Sequence, residues 1–120
     1  MIEIIDLCKN YGSIQAVKHV SFSVNKGEIL GFLGPNGAGK STTMNIITGY
    51  LPSTSGSVKV CGYDILEDPK AVKSRIGFMP ERPPLYMDMT VKDYLGFVAD
   101  LKGVSSQKRR AQLNDIMELV

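Results

Sequence analysis

Alternating hydrophobic and polar positions in the first sixty residues predict short β-strands. Residues 20–24, VSFSV, place apolar side chains on one face and serines on the other, which is typical of a half-buried strand. Residues 2–7, IEIIDL, are rich in β-branched side chains, and residues 57–62, SVKVCG, alternate again. The turn signal NKGE follows the VSFSV strand at residues 25–28. We therefore expect the chain to begin with a small antiparallel sheet.

Two other segments are apolar almost without interruption. They are residues 29–33, ILGFL, and residues 76–80, IGFMP. A strand that is covered on both faces carries apolar residues at successive positions, as in a parallel sheet. The pattern therefore predicts a buried strand in each segment, the second of which ends at Pro80.

Helical spacing and start or stop signals predict four helices. The first covers residues 39–48 and ends at Gly49, and the second begins with Asp68 as N-cap and Pro69 at the first helical position. In the third, Thr90 and Asp93 stand at the positions of a capping box, and Gly103 ends the helix. The expected apolar stripe of this third helix consists of Val91, Tyr94, Leu95, Val98 and Leu101.

The fourth predicted helix is capped by Ser105 or Ser106 and shows no stop signal. Its last ten residues, AQLNDIMELV, are apolar at helical spacing up to the final position. This pattern leads us to expect that the 120 residues are a fragment of a longer chain.

Composition and charge exclude several classes of protein. The 120 residues are 43% hydrophobic and 22% charged with a net charge of +2, which is typical of a soluble domain and too balanced for a nucleic-acid-binding protein. No apolar stretch approaches the ~20 residues of a membrane span, and the first residues do not form a signal peptide. Cys8 and Cys61 lack metal-ligand spacing and are expected to be free thiols in the cytoplasm. His19, with no cysteine or acidic cluster near it, is expected to be a surface residue.

The segment GPNGAGKST, residues 34–42, carries the strongest chemical signal. It matches G-x-x-x-x-G-K-[ST], a loop that cradles the phosphates of nucleoside triphosphates. Backbone N–H groups and the N-terminus of the following helix attract anions there, while Gly37 and Gly39 permit conformations that a Cβ would obstruct. We expect Lys40 to reach the β- and γ-phosphates and Ser41 to ligate Mg²⁺. The predicted phosphate-binding residues are Gly34, Asn36, Gly37, Ala38, Gly39, Lys40, Ser41 and Thr42.

The loop and three further segments resemble the nucleotide-binding domain of ATP-binding cassette (ABC) transporters. The segments are CKNYGSIQAVKHVSFSVNKGEI, SGSVKVCGYDI and RIGFMPERPPLYMDMTVKDYL, and part of the last is most similar to export-type bacterial members. The resemblance covers essentially the whole chain and implies an α/β P-loop NTPase fold with an N-terminal antiparallel β-subdomain and a RecA-like parallel sheet. It implies that residues 1–80 form the β-subdomain and P-loop core, and that residues 81–120 carry the Q-loop and the start of the helical subdomain.

The resemblance also implies roles for two residues outside the loop. Tyr11 would be the platform on which adenine stacks, a contact that is worth about 1–3 kcal/mol per base in nucleic-acid systems and that accepts any base. Glu81 stands where the family usually has the glutamine that reaches Mg²⁺ and the attacking water. A carboxylate can still ligate Mg²⁺ together with Ser41 but lacks the amide donor. The implied cofactors are thus ATP and Mg²⁺, and the implied catalytic residues are Lys40 and Glu81.

Several parts of the family's domain are missing from these 120 residues. There is no LSGGQ-like signature, no apolar run followed by Asp-Glu as in Walker B, and no histidine after His19. We therefore expect the first half of a domain that is truncated before those segments. In isolation it should be marginally stable and prone to aggregate, with weak nucleotide binding and negligible hydrolysis.

By the same resemblance, the complete protein is a transporter subunit that couples ATP hydrolysis to transport. Its similarity to export-type members favours export as the direction of transport. It would pair with a second nucleotide-binding subunit and dock on a membrane-embedded permease at the inner face of the cell membrane, with residues 82–89 and the helix from Thr90 as docking surface. No nucleic-acid partner is expected. Two alternatives stay open: a non-transport ATPase built on the same cassette, and a non-catalytic truncated fragment. The transported substrate is not predicted.

Overall fold

A computed structural model describes residues 1–119 of the chain. The chain divides into two compact units, of which the first is Met1–Phe78 and the second begins at Met79. No helix within residues 1–119 is both long and apolar enough to cross a membrane.

The first unit is built on a four-stranded antiparallel sheet. Its strands are β1 (Ile2–Tyr11), β2 (Ile14–Val24), β3 (Ser55–Val60) and β4 (Tyr63–Asp64). They lie in the order β2-β1-β3-β4, and every adjacent pair is antiparallel. The three predicted strands are confirmed, but β1 and β2 extend well beyond the predicted ranges and form a long ribbon that turns at Gly12.

The β1–β2 ribbon is irregular in its middle. The pairing register shifts between Ile4 and Leu7 and again between Leu7 and Lys9. Asp6 and His19 adopt left-handed backbone conformations, with φ of 50° and 47°. Aspartate and histidine are among the few residue types that adopt this region with some frequency. These bulges turn side chains away from the alternation of a regular strand.

Two helices of the first unit complete its core. Helix α1 covers Lys40–Ile47 and helix α2 covers Pro69–Arg75, and both match the predicted positions. Gly49, with φ of 70°, follows α1 as the expected stop. The fully buried side chains of the unit are Ile4, Leu7, Thr43, Ile46, Val58 and Val72. Helix α1 packs against the core through Ile46 and Ile47, and α2 packs against it through Val72.

The two predicted buried strands are wrong. Residues 29–33 and 76–80 are not strands, and Ile29, Leu33 and Met79 are 98%, 92% and 85% exposed. A strand that is buried on both faces needs paired neighbours and covering helices, and within residues 1–119 the sheet contains no strand that pairs with either segment. In the first of these segments, the Phe32 ring lies 5.4 Å from the Phe22 ring, centroid to centroid. The apolar runs show that these segments can be buried, but they do not show what buries them.

The second unit contains two helices. Helix α3 covers Val91–Leu101 and helix α4 covers Ser106–Leu119. The predicted cap at Thr90 is confirmed: the Thr90 hydroxyl oxygen accepts from the Asp93 N–H at 3.2 Å, and the hydroxyl donates to the Asp93 carboxylate at 2.6 Å. Gly103, with φ of 69°, follows α3 as predicted.

The apolar stripe predicted for α3 is only partly covered. Tyr94, Leu95 and Val98 are half-buried, whereas Val91 and Leu101 at the two ends are exposed. The α4 side chains cover only the middle of the stripe, where an apolar groove forms between the helices. The predicted stripe is therefore covered in its middle and exposed at both ends.

Candidate functional site

The loop of residues 34–42 lies between the exposed segment 29–33 and α1. Gly37 and Gly39 both adopt φ of +83°, which glycine reaches without strain. The Ala38 N–H donates to the Pro35 carbonyl at 3.2 Å and closes a turn at the entrance of the loop. Gly39 is the N-cap of α1 and offers no side-chain acceptor. The first N–H groups of the helix are therefore left for a ligand.

Gly39 also anchors the loop on the sheet. A Cβ at this position would lie 2.3 Å from the Ala16 carbonyl oxygen and 3.2 Å from Val17 Cγ2 of β2. At Gly37, by contrast, a Cβ would meet nothing within 4 Å. The sequence explains both glycines by their backbone conformation, but it does not reveal that Gly39 is packed against the backbone of β2.

Lys40 is folded back onto the loop. Its Nζ donates to the Gly34 carbonyl at 2.5 Å and to the Pro35 carbonyl at 2.8 Å. The ammonium thus lies among the loop's own carbonyl groups. A phosphate would offer charged acceptors in place of these neutral carbonyls, and hydrogen bonds between two charged groups are the stronger kind.

The residues after Lys40 divide between solvent and core. Ser41 is exposed, Thr42 is half-buried and Thr43 is fully buried. The Thr43 N–H donates to the Gly39 carbonyl at 2.8 Å, the first hydrogen bond of α1. No acidic residue lies in the first turn of the helix. The positive end of the helix dipole and the ammonium of Lys40 therefore favour an anion at this end of α1.

Tyr11 lies at the end of β1, where it pairs with Ile14 across the turn at Gly12. Its side chain is 46% exposed. Lys9 Nζ lies 5.2 Å from the centroid of the Tyr11 ring, and the same ammonium donates to the Pro52 carbonyl at 2.7 Å. A cation thus lies over one face of the ring, while close to half of the residue's surface stays exposed.

Glu81 belongs to the second unit, whereas the phosphate loop belongs to the first. Its side chain is exposed, as are all residues from 81 to 90. The expectation that Glu81 and Ser41 share a Mg²⁺ ion therefore stays a prediction.

His19 is exposed, but the expectation that no cysteine or acidic residue lies near it is wrong. Its Nδ1 lies 2.7 Å from Asp6 Oδ1, and its backbone N–H donates to Cys8 Sγ at 3.3 Å. The bulges in β1 and β2 bring these side chains together, and the spacing along the chain does not reveal this.

The fold and the loop define a P-loop nucleotide-binding protein. A family model described as "ABC transporter" matches residues 17–120. The chain therefore belongs to the ABC transporter family, and this membership confirms the predicted fold class.

Individual relatives agree with this family. The chain is 40% identical over its whole length to the uncharacterized ABC transporter ATP-binding protein YxlF of Bacillus subtilis, of which it covers 39%. It is 36% identical over its whole length to the bacitracin transport ATP-binding protein BcrA of Bacillus licheniformis, of which it covers 38%. The chain thus spans about two fifths of the length of these relatives.

Solved structures show the same architecture. The ATP-binding subunit of an ABC transporter superimposes on 88% of the chain with a TM-score of 0.82 and 32% identity, and the chain covers 44% of that subunit. The ATP-binding cassette MJ0796, a dimer in a post-hydrolysis state bound to ADP and Pi, superimposes on 98% of the chain with a TM-score of 0.81 and 25% identity, and the chain covers 56% of it.

Proposed function

We propose that the protein binds ATP through residues 34–42 and acts as the ATP-binding subunit of an ABC transporter. The observation that carries this proposal is the geometry of the loop: two glycines with φ of +83° lead into α1, whose N-terminus has neither a side-chain cap nor an acidic residue. Family membership supports a nucleotide phosphate as the anion, since relatives are named ATP-binding proteins.

The phosphates would lie on the N–H groups of the loop and of the first turn of α1. Binding requires Lys40 to leave the Gly34 and Pro35 carbonyls and turn toward the β- and γ-phosphates. This exchange replaces two neutral acceptors by charged ones. We assign phosphate contacts to Gly34 and to residues 36–42, and base stacking to Tyr11, whose ring is partly open.

Mg²⁺ fits the donors at the loop. The ion prefers oxygen ligands and keeps several of its waters, and the exposed hydroxyl of Ser41 adjoins Lys40 at the start of α1. The bound ion would neutralise charge on the β- and γ-phosphates. We propose Ser41 as one ligand and the Glu81 carboxylate as a second.

The transport role needs partners that this chain does not supply. We propose that the complete protein hydrolyses ATP as a dimer and docks on a membrane-embedded permease at the inner face of the membrane. The name of BcrA, a bacitracin transport protein, and that of the linearmycin resistance ATP-binding protein LnrL, 38% identical over the whole chain, support an export role. The proposed docking surface is residues 82–89 and α3, where Tyr86 packs 5.8 Å from Phe97 while Met87 points to solvent.

Titration of the purified protein with a fluorescent ATP analogue tests the nucleotide site. Lys40→Ala should weaken binding at least about tenfold, because hydrogen bonds to charged groups contribute about 1.5–3 kcal/mol. Lys26→Ala, at an exposed position in the turn after β2, is the matched control and should bind like the unmodified protein. Equal affinity of the Lys40→Ala and Lys26→Ala variants would refute the proposed site.

A further inference from the structure

We propose that Asp6, Cys8 and His19 form a binding site for a divalent transition-metal ion, with Zn²⁺ as the best match. A carboxylate oxygen, the thiol sulfur and a ring nitrogen of these residues lie within 4.8 Å of one another. Two of the residues come from β1 and the third from β2. A bound ion would therefore bridge the two strands of the ribbon.

The bulges of the ribbon create this cluster. Asp6 and His19 take left-handed conformations on facing strands, and the register shifts on both sides of Leu7. The Asp6 N–H donates across the ribbon to the Ser21 hydroxyl at 2.8 Å. The main chain around Asp6 is thus fixed by a contact to β2 rather than by regular pairing.

The ligand atoms are already directed at one another. His19 Nδ1 and Asp6 Oδ1 lie 2.7 Å apart, and the His19 N–H at 3.3 Å from Cys8 Sγ fixes the direction of the sulfur. Cys8 is buried, whereas the side chains of His19 and Asp6 are 70% and 63% exposed. An ion can therefore enter from solvent, and the two exposed ligands lie beside the buried sulfur.

The donor set selects the ion. Zn²⁺ binds sulfur at about 2.3 Å and nitrogen or oxygen at about 2.0–2.2 Å, so its tetrahedral ligands lie about 3.3–3.7 Å apart. The longest separations, up to 4.8 Å, need to close by about 1 Å, whereas the 2.7 Å between His19 Nδ1 and Asp6 Oδ1 needs to open by about 0.6 Å. Both changes require new rotamers of the exposed Asp6 and His19 side chains. Mg²⁺ and Ca²⁺ prefer oxygen ligands alone. Three protein ligands leave a fourth position for water.

This cluster is separate from the proposed nucleotide site. None of its three residues belongs to segment 34–42, and a site with a sulfur ligand favours a softer ion than the Mg²⁺ that accompanies ATP. Within residues 1–119 it is the only group of three or more His, Cys, Asp or Glu side chains placed to hold a metal.

Equilibrium dialysis of the purified protein against Zn²⁺ tests the proposal. One equivalent should bind to the unmodified protein and to Cys61→Ser, which removes the exposed second cysteine. Cys8→Ser, Asp6→Asn and His19→Asn should each weaken binding at least about tenfold, since even the loss of a residue that only supports a ligand costs 10–100-fold. Asparagine tolerates the left-handed conformation at positions 6 and 19, so the Asp6→Asn and His19→Asn variants should fold. They therefore test the metal site even if Cys8→Ser does not fold.

Co²⁺ substitution supplies a second readout. The Co²⁺ protein should show thiolate-to-metal absorption in the near ultraviolet that Cys61→Ser keeps and Cys8→Ser lacks. An excess of Mg²⁺ should not displace the Zn²⁺. The proposal is overturned if no Zn²⁺ binds, if Asp6→Asn and His19→Asn both bind Zn²⁺ like the unmodified protein, or if Cys61→Ser abolishes binding.

Discussion

Gly39→Ala should destabilise the protein far more than Gly37→Ala, although the two glycines have the same backbone conformation. Both adopt φ of +83°, and the left-handed region costs a residue with a Cβ about 1–2 kcal/mol. The two positions differ only in what the new methyl group meets. The pair therefore separates the conformational cost from the cost of contact with β2.

The contact cost follows from the structure. A Cβ at position 39 would lie 2.3 Å from the Ala16 carbonyl oxygen, where real Cβ contacts essentially never fall below 3.0 Å. The loop and β2 must therefore separate by about 0.7 Å, and such overpacking costs about 1–3 kcal/mol. We expect a loss of about 2–5 kcal/mol for Gly39→Ala and about 1–2 kcal/mol for Gly37→Ala.

Equilibrium unfolding in urea, followed by circular dichroism, measures the two free energies. The slope of the unfolding free energy against urea should be the same for both variants, so that the shift in midpoint reports stability alone. Equal destabilisation by the two substitutions, or a larger effect at Gly37, would show that the loop is not packed on Ala16. Titration with the ATP analogue should then show weaker binding for Gly39→Ala than for Gly37→Ala, because only the former displaces the start of α1.

Two further substitutions test the base platform and the second unit. Tyr11→Ala should weaken binding of the ATP analogue by about 5- to 150-fold, the equivalent of about 1–3 kcal/mol. The control Tyr50→Ala changes an exposed tyrosine after α1 and should leave the affinity unchanged. Equal affinities of the two variants would show that Tyr11 does not contact the nucleotide. Thr90→Ala should lower the unfolding free energy by about 1 kcal/mol, because the α3 cap is lost. Thr90→Ser keeps the hydroxyl and should retain most of the original stability. If Thr90→Ser is as unstable as Thr90→Ala, the cap contributes nothing to stability.

Local signals account for what the sequence predicts correctly. The phosphate loop is a single nine-residue segment, and the cap at Thr90 depends on a residue three positions away. Alternation locates β2 and β3, and β-branched side chains locate β1, because each strand places one face on the same core. In each case the determining residues are neighbours in sequence, so no knowledge of the tertiary structure is needed.

The predictions that fail depend on residues far apart in the chain. Segment 29–33 is apolar enough for a buried strand, but burial requires neighbours on both sides, and residues 1–119 contain none for it. The contact of Gly39 with Ala16 joins residues on different elements. The meeting of His19 with Cys8 depends on bulges in two strands, and the hydrophobic pattern carries no signal for a bulge.

The β1–β2 ribbon connects the proposed nucleotide and metal sites. Ala16 supports Gly39 at the start of the phosphate loop, Tyr11 stands at the end of the ribbon, and Asp6 and His19 face each other across its middle. An ion that bridges β1 and β2 would restrain the ribbon. The ribbon carries Tyr11, proposed to contact the base, and supports Gly39, proposed to contact the phosphates. If such restraint changes ATP affinity by some factor, linkage requires ATP to change Zn²⁺ affinity by the same factor. Titrating each ligand in the presence and absence of the other should therefore give equal factors. Unequal factors at equilibrium would mean that a second Zn²⁺ ion, bound elsewhere or to the nucleotide itself, contributes to the effect.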